Sequence, residues 1–225
     1  MKAYYESGGV QIFLGDCREI LPALPEADTI LTDPIWPNAA LRFEGMGDPT
    51  RLFAEAAALF RATRFIVQIG CDSDPRFLAG VPTSHPFFRA CWLEYACPTR
   101  KGRVLYSGDV AYVFGTPPPS RPGRVVIGGR YSSARSETRA MRMHGLDFGG
   151  RGYQPTPRRL EHVRWLVARL VNGLVIDPFA GLGTTLVAAK DAGYPAIGIE
   201  IDEAQAEQAA KRLGQSVMDF GTSAR

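Results

Sequence analysis

The stretch Gly173-Leu-Val-Ile-Asp-Pro-Phe-Ala-Gly-Leu-Gly-Thr-Thr185 decides the fold of this chain. Its β-branched, apolar beginning predicts a buried strand of a parallel sheet. Gly181 and Gly183 permit a tight turn in which backbone N–H groups can approach a ligand closely. Thr184 or Thr185 is expected to cap the helix that follows. The pattern therefore indicates a strand, a glycine turn and a helix.

A second strand, residues 195–199, places Glu200 nineteen residues after Gly181. A carboxylate near this spacing binds ribose hydroxyls in nucleotide-binding folds. A third glycine and a Gly-Lys-Ser/Thr loop are both missing from the stretch, so a nucleoside without phosphates fits better than a dinucleotide or a triphosphate. The competing interpretation is a tight strand-to-helix turn without a ligand.

Composition narrows the class of protein. The chain has 225 residues, of which 45% are hydrophobic and 22% charged, enough for one large domain. It contains no apolar run of ~18 residues, and the segment around Glu6 does not resemble a signal peptide, so a cytoplasmic protein is expected. The four cysteines lack metal-ligand spacing, which predicts neither a metal site nor disulfides.

Charge is unevenly distributed along the chain. Residues 100–169 hold fourteen Lys or Arg and four acids, a net charge of +10, whereas the whole chain carries +3. Most of these cations are arginines, which bind phosphates and guanine edges through paired N–H groups. The sequence predicts a polyanionic partner; a solvated basic loop is the alternative.

A second chemical stretch follows a compact strand at residues 27–32 and reads Asp33-Pro-Ile-Trp-Pro-Asn38. An acid at the carboxyl end of a strand in an open α/β sheet points into the ligand crevice. Trp36 offers a broad aromatic face. A turn with a half-buried tryptophan is the structural alternative, but Asp177 also follows a strand, which favours a functional site.

Strands and helices alternate elsewhere, which predicts a doubly wound sheet. Predicted strands also cover 10–14 and 64–70, and predicted helices cover 18–24, 51–60 and 203–213, with another that opens at 153–160. Residues 1–70 and 153–225 are expected to form the two halves of one domain around an insert at 71–152. The Gly-, Ser- and Arg-rich segment 121–152 cannot build its own core and is expected to be mobile until nucleic acid binds.

The two chemical stretches resemble the catalytic and cofactor motifs of the amino-group DNA methyltransferases, which use S-adenosylmethionine. The catalytic motif comes first and the cofactor motif last, an order similar to the permuted beta group of that family. Gly15-Asp-Cys17 and Gln154-Pro-Thr-Pro157 resemble further family elements. The resemblance implies a Rossmann-like methyltransferase sheet with an inserted basic target-recognition segment, which acts on double-stranded DNA without a metal.

The resemblance also implies roles for individual residues. Asp33 and the Pro34 carbonyl would accept hydrogens of the target amine, and Trp36 would stack on the flipped base. The expected cofactor-binding residues are Asp16, Cys17, Thr156, Asp177, Phe179, Gly181, Gly183, Thr184 and Glu200. The expected DNA-binding residues are Arg121, Arg124, Arg130, Arg135, Arg139 and Arg142.

The sequence departs from the family pattern at several positions. Ile35 and Trp36 replace the usual proline and tyrosine, Gln154 replaces histidine, and Arg158 with Arg159 stand where Lys-Pro is usual. The resemblance implies that aspartate at position 33 favours N6 of adenine, with N4 of cytosine as the alternative. A DNA-binding homologue with little turnover is a third interpretation. A carbon-5 cytosine enzyme is disfavoured because no Pro-Cys nucleophile motif occurs. The oligomeric state, with a homodimer among the options, and a partner nuclease are left open.

The permuted order makes a geometric prediction. The strand that ends near Asp16 should be the sheet neighbour of the strand that ends at Glu200, and the helix at 203–213 should return the chain beside the first strands.

Overall fold

The computed structural model describes residues 1–37, 47–101, 103–119, 129–133 and 158–215. Nine strands are present in this part of the chain. They are β1 (Tyr5–Ser7), β2 (Val10–Leu14), β3 (Ala27–Thr32), β4 (Ala62–Gly70), β5 (Phe87–Lys101), β6 (Val104–Gly115), β7 (Arg130–Ser133), β8 (Val175–Asp177) and β9 (Ala196–Glu200).

The helices follow the predicted alternation. They are α1 (Cys17–Ile20), α2 (Pro49–Ala57), α3 (Leu160–Leu170), α4 (Thr184–Asp191) and α5 (Glu203–Gln215), with short 3-10 turns at Leu21–Ala23 and Pro75–Gly80. Asp48 begins α2 by accepting a hydrogen bond from the Thr50 N–H at 3.0 Å, and Pro49 fits the first helical position because no donor is needed there.

All nine strands belong to one sheet, in the order β1-β2-β9-β8-β3-β4-β6-β5-β7. The strands from β2 to β4 in this order are parallel, so their carboxyl ends share one edge. Leu14 pairs with Glu200, and the Gly15 N–H donates to the Glu200 carbonyl at 2.9 Å. The predicted pairing of the first and last parallel strands is therefore confirmed.

Helices cover both faces of the sheet. Leu31 and Ile66 pack on one face with Val163 of α3, Leu186 of α4 and Leu213 of α5. Their chain neighbours point the other way and pack with α1 and α2, through residues that include Ile30, Phe65, Ile20 and Phe53. Burying each such side chain contributes about 1.5–3 kcal/mol. The doubly wound arrangement is confirmed.

The middle of the chain extends this sheet. β6 pairs antiparallel with β4, and β5 pairs antiparallel with β6, so residues 87–115 lie beside the parallel strands. Both strands extend beyond the apolar runs at 90–96 and 110–114, and a register shift interrupts their pairing between Glu94 and Thr99. The segment expected to be mobile, 121–152, falls outside the described residues except for 129–133.

The predicted threonine cap of α4 is wrong. Gly183, at φ +73°, occupies the cap position without a side-chain hydrogen bond. Both threonine hydroxyls serve tertiary contacts instead, because Thr184 accepts from Arg212 at 2.8 Å and Thr185 bonds to Asp177. The tertiary hydrogen bonds of these two hydroxyls therefore take the place of the helix-capping bond that the sequence predicts.

No helix within the described ranges is long and apolar enough to cross a bilayer. In the same ranges, no three His, Cys, Asp or Glu side chains gather as metal ligands. Cys17, Cys71 and Cys91 carry free thiols.

Candidate active site

Four acids line the carboxyl edge of the parallel strands. Asp16 follows β2, Glu200 ends β9, Asp177 ends β8 and Asp33 follows β3. These strands are adjacent in the sheet, so the acids occur along the edge in the order Asp16, Glu200, Asp177, Asp33. The two sequence motifs therefore meet at one edge of the sheet, which is where the ligand crevice of an open α/β sheet lies.

Asp177 joins the two halves of the chain. Its Oδ1 accepts hydrogen bonds from the Thr32 hydroxyl at 2.8 Å and from the Phe179 N–H at 3.1 Å. The side chain is buried, and this burial raises its pKa to about 6, although the hydroxyls of Thr185 and Thr32 oppose the shift. Phe179 itself is half-buried against the core.

Glu200 closes the glycine turn. Its carboxylate accepts from the Gly181 N–H at 2.7 Å and from the Asp202 N–H at 2.9 Å. Burial raises its pKa to about 7, against the effect of these backbone donors. Gly181 at φ +50° and Gly183 at φ +73° adopt the left-handed conformation that the turn requires.

Asp16 already has protein partners. It begins α1 by accepting from the Arg18 N–H at 2.8 Å, and the Arg18 guanidinium pairs with the same carboxylate at 2.6 Å. These bonds lower the pKa of Asp16. The neighbouring Cys17 packs into the core, where burial raises the pKa of its thiol to about 12. The Cys17 side chain therefore behaves as a small apolar group.

Asp33 is held by an arginine from the other half of the chain. Arg158 donates from Nε to Asp33 Oδ2 at 2.6 Å and from Nη2 to Oδ1 at 2.8 Å. Its remaining nitrogen, Nη1, lies 2.5 Å from Asp109 Oδ1. The guanidinium also lies over the Trp36 ring, with Cζ 4.4 Å from the ring centroid. Pro34 is buried and Trp36 is half-buried beside it.

Asp109 is the buried anchor of this cluster, at 1% exposure. Its carboxylate also accepts from the Tyr95 hydroxyl at 2.5 Å and from the Tyr106 hydroxyl at 2.8 Å. Burial and the adjacent Asp109 charge raise the pKa values of both tyrosines, so the hydroxyls remain neutral donors. The cluster of Asp33, Arg158 and Asp109 thus holds two carboxylates and one guanidinium.

Sequence reasoning missed Thr32 and Asp109 and noted Arg158 only as a departure from the family pattern. A lone acid before the apolar run Val110-Ala-Tyr-Val-Phe114 was a usable signal, because a charge is rarely fully buried without a partner. The partner itself comes from a segment distant in sequence and could not be read locally.

Several predicted residues are not brought to this crevice or fall outside the described ranges. Arg130 lies in β7, where it is exposed and pairs with Glu94 at 2.6 Å. The following predicted residues fall outside: Thr156, Arg121, Arg124, Arg135, Arg139 and Arg142.

Comparisons with known proteins agree with this architecture. Among solved structures, the chain is similar to the M1.HpyAVI complex with SAM, with a TM-score of 0.66, 20% identity and coverage of 91% of this chain and 98% of that one. It is also similar to PvuII DNA methyltransferase (cytosine-N4-specific), with a TM-score of 0.68, 16% identity and coverage of 100% and 91%. These likenesses identify the Rossmann-like methyltransferase fold, which the sequence predicted.

Sequence comparisons point to similar proteins. Residues 153–211 match the N6_N4_Mtase model, described as DNA methylase. YubD of Escherichia coli (strain K12), a provisionally assigned methylase, is 27% identical over 233 residues, 93% of each chain. These matches confirm the predicted resemblance to the amino-group DNA methyltransferases.

Proposed function

We propose that this protein transfers a methyl group from S-adenosylmethionine to the exocyclic amine of a flipped base in double-stranded DNA, at N6 of adenine. The observation that carries the proposal is the meeting of the two motifs: Asp33 follows the strand whose last residue, Thr32, is bonded to Asp177 at 2.8 Å. A base acceptor and a cofactor carboxylate are thereby held at one edge.

The donor set fits S-adenosylmethionine, the cofactor of this family. Asp177 and Glu200 are buried carboxylates with raised pKa values, and a bound cation would favour their ionised form. When bound, the cofactor supplies an electrophilic methyl group on a cationic sulfur. Asp177, Phe179, Gly181, Gly183 and Thr184 would hold its methionine portion, and Glu200 would accept its ribose hydroxyls.

Asp16, Cys17 and Thr156 complete the proposed cofactor site. Asp16 would accept from the adenine amine, in competition with the Arg18 guanidinium that it already binds. Cys17 would contribute its backbone, because its thiol is packed in the core.

The chain's own acceptors would prepare the target nitrogen. The lone pair of an exocyclic base amine is delocalised into the ring, which makes the nitrogen a poor nucleophile. The Asp33 carboxylate and the Pro34 carbonyl would accept the two amine hydrogens and localise that lone pair. Trp36 would stack on the base. Since Arg158 covers one face of the Trp36 ring, a base must use the other face or displace the guanidinium.

Two finer points belong to the proposal. Aspartate at position 33 favours adenine by resemblance, whereas the solved neighbour PvuII is specific for N4 of cytosine, which keeps that amine as the second candidate. DNA would be bound by the excess of arginine in residues 100–169, including Arg121, Arg124, Arg130, Arg135, Arg139 and Arg142.

Transfer of labelled methyl groups to DNA, followed by nucleoside analysis, tests the proposal. We expect N6-methyladenine; N4-methylcytosine would identify the second candidate, and DNA binding without transfer would identify a non-catalytic homologue.

The catalytic role of Asp33 is tested with Asp33→Ala, which should abolish transfer while cofactor affinity, measured by calorimetry, stays nearly unchanged. Glu207→Ala, at an exposed acid on α5 that pairs with Lys211 of the same helix, is the control and should transfer normally. Loss of cofactor binding in Asp33→Ala would contradict the assigned role.

A further inference from the structure

Arg158 connects the Asp33 carboxylate to Asp109 in strand β6. Its Nε and Nη2 both bond to Asp33, and its Nη1 bonds to Asp109. Its side chain is 10% exposed, so these charge-assisted bonds are formed with little competition from water. A guanidinium is planar, and three fixed contacts leave it a single orientation.

The anchor is itself fixed from two sides. Asp109 belongs to β6, and the hydroxyls of Tyr95 on β5 and Tyr106 on β6 both donate to its carboxylate. Arg159 packs against the Tyr95 ring, with Cζ 3.9 Å from the ring centroid. The β5–β6 hairpin therefore fixes the Asp109 carboxylate. Asp109 in turn orients Arg158, and Arg158 orients the carboxylate of Asp33.

We propose that Arg158 is a positioning residue for methyl transfer: it favours the ionised form of the Asp33 carboxylate and holds it in one orientation, with lone pairs left to accept the target amine hydrogen. This inference rests on the proposed function. An ionised carboxylate has about four lone-pair sites, and the two bonds from Arg158 occupy two of them. Arg158 acts through Asp33 and needs no contact with the base.

The electrostatics around Asp33 support this role. The pKa of Asp33 is raised to about 7, chiefly by burial: the charge and hydrogen bonds of Arg158 lower it, and the charges of Asp109 and Asp177 raise it. Tyr95 and Tyr106 remain neutral beside Asp109. Without Arg158, Asp33 would keep its proton at neutral pH, and a protonated carboxyl group is a weaker acceptor for the amine hydrogen.

The first test measures Asp33 directly in the protein without cofactor. Carbon-13 NMR of aspartate-labelled protein, with Asp33→Asn to assign the signal, should show Asp33 titrating near pH 7. In Arg158→Met the midpoint should rise by at least about one pH unit, because one opposite charge shifts a carboxylate pKa by roughly 1–3. An unchanged midpoint would overturn the proposal, whether or not the protein transfers methyl groups.

The second test separates positioning from a purely structural role. In Arg158→Met, kcat at pH 7 should fall by about 100-fold or more, and the rising limb of the pH profile should move to higher pH. The affinity for S-adenosylmethionine should stay within about 3-fold of the unmodified protein. An equal loss of kcat at every pH, with the profile unmoved, would overturn the proposal.

Arg158→Lys keeps the charge but loses the paired donors, and it provides a test if Arg158→Met fails to fold. It should leave the Asp33 midpoint near its original pH yet lower kcat by about 10-fold, because a single ammonium does not fix the carboxylate plane. A midpoint shifted as far as that expected for Arg158→Met would contradict the role of charge. Arg164→Met, on the helix that follows Arg158 and 46% exposed, is the matched control and should leave midpoint and kcat unchanged.

If the unmodified protein transfers no methyl group, the proposed function fails, while the NMR titration still decides whether Arg158 controls the ionisation of Asp33.

Discussion

The Thr32 hydroxyl donates a hydrogen bond of 2.8 Å to Oδ1 of Asp177, which connects strands from the two halves of the chain directly beneath the crevice. Thr32 is fully buried, so in a variant that lacks this hydroxyl no solvent water takes over its hydrogen bond to Asp177. Thr32→Val should lower the free energy of unfolding by about 1–3 kcal/mol, because Asp177 loses a buried donor. Denaturant unfolding of the protein without cofactor measures this loss.

The same variant should weaken cofactor binding by about 10-fold at pH 7, since Asp177 becomes harder to ionise without this donor. Thr63→Val, an exposed position on β4, is the matched control and should change neither quantity. Equal affinities for Thr32→Val and the unmodified protein would remove Asp177 from the cofactor site.

Two glycines with similar backbone angles separate conformational strain from contact at the turn. Gly183 has φ +73° and Gly193 has φ +75°, so alanine at either position should cost about 1–2 kcal/mol for the left-handed backbone. A Cβ at Gly183 would also lie 3.0 Å from the Ala209 Cβ, whereas nothing lies within 4 Å of a Cβ at Gly193. Gly183→Ala should therefore be less stable than Gly193→Ala in denaturant unfolding.

Cofactor affinity, measured by calorimetry, should fall by at least about 10-fold in Gly183→Ala and stay unchanged in Gly193→Ala. Parallel losses in both variants would mean that general destabilisation, rather than the shape of the turn, controls binding.

Cofactor affinity should depend on pH through Glu200. Its pKa is raised to about 7, so the ionised form that accepts ribose hydroxyls most strongly is populated only as pH rises through that value. Binding should therefore tighten between pH 6 and pH 8, and calorimetry across this range measures the effect. In Glu200→Gln, which cannot ionise, binding should be weaker and should lose the step near pH 7. A step of unchanged size in that variant would assign the titration to another group.

Arg64 is a second buried arginine, near the amino ends of β3 and β4 and therefore at the opposite edge of the sheet from Asp33. It is 1% exposed and donates to the carbonyls of Thr116 at 2.8 Å and Leu170 at 2.7 Å, and it pairs with Asp28 at 3.4 Å. Arg64→Met should destabilise the protein by roughly 3–5 kcal/mol, because these buried acceptors lose their donor.

Chemical denaturation measures that change. Arg51→Met is the matched control, since Arg51 is highly exposed and pairs with Glu55 along its own helix, and it should unfold like the original protein. Similar stability of the two variants would show that water replaces the Arg64 donors.

The motif-bearing parts of the fold could be predicted from the sequence because their signals are local. A short apolar run comes before each of the acids Asp33, Asp177 and Glu200. An acid at the carboxyl end of a parallel strand faces the ligand crevice of the sheet. The pairing of β2 with β9 followed from the order of the motifs. The roles of Asp33 and Glu200 remain predictions that the variants above test.

The support around these acids could not be predicted, because it depends on contacts between distant segments. Thr32 and Asp177 are 145 positions apart, and Arg158 and Asp33 are 125 apart. Thr184 shows the same limit, since a local rule made it a helix cap while Arg212 engages its hydroxyl. The sequence identifies which groups could react, and the tertiary structure determines what holds them.

The placement of β8 and β9 between β2 and β3 also affects how the protein is made. At ~5–20 residues per second, a ribosome needs roughly 7–30 s to pass from Thr32 to Asp177, which are 145 positions apart. During that interval the nascent chain carries β2 and β3 with facing edges whose partners have not been synthesised. Unpaired apolar edges favour aggregation, so production of this protein should depend on chaperone capacity and on translation speed.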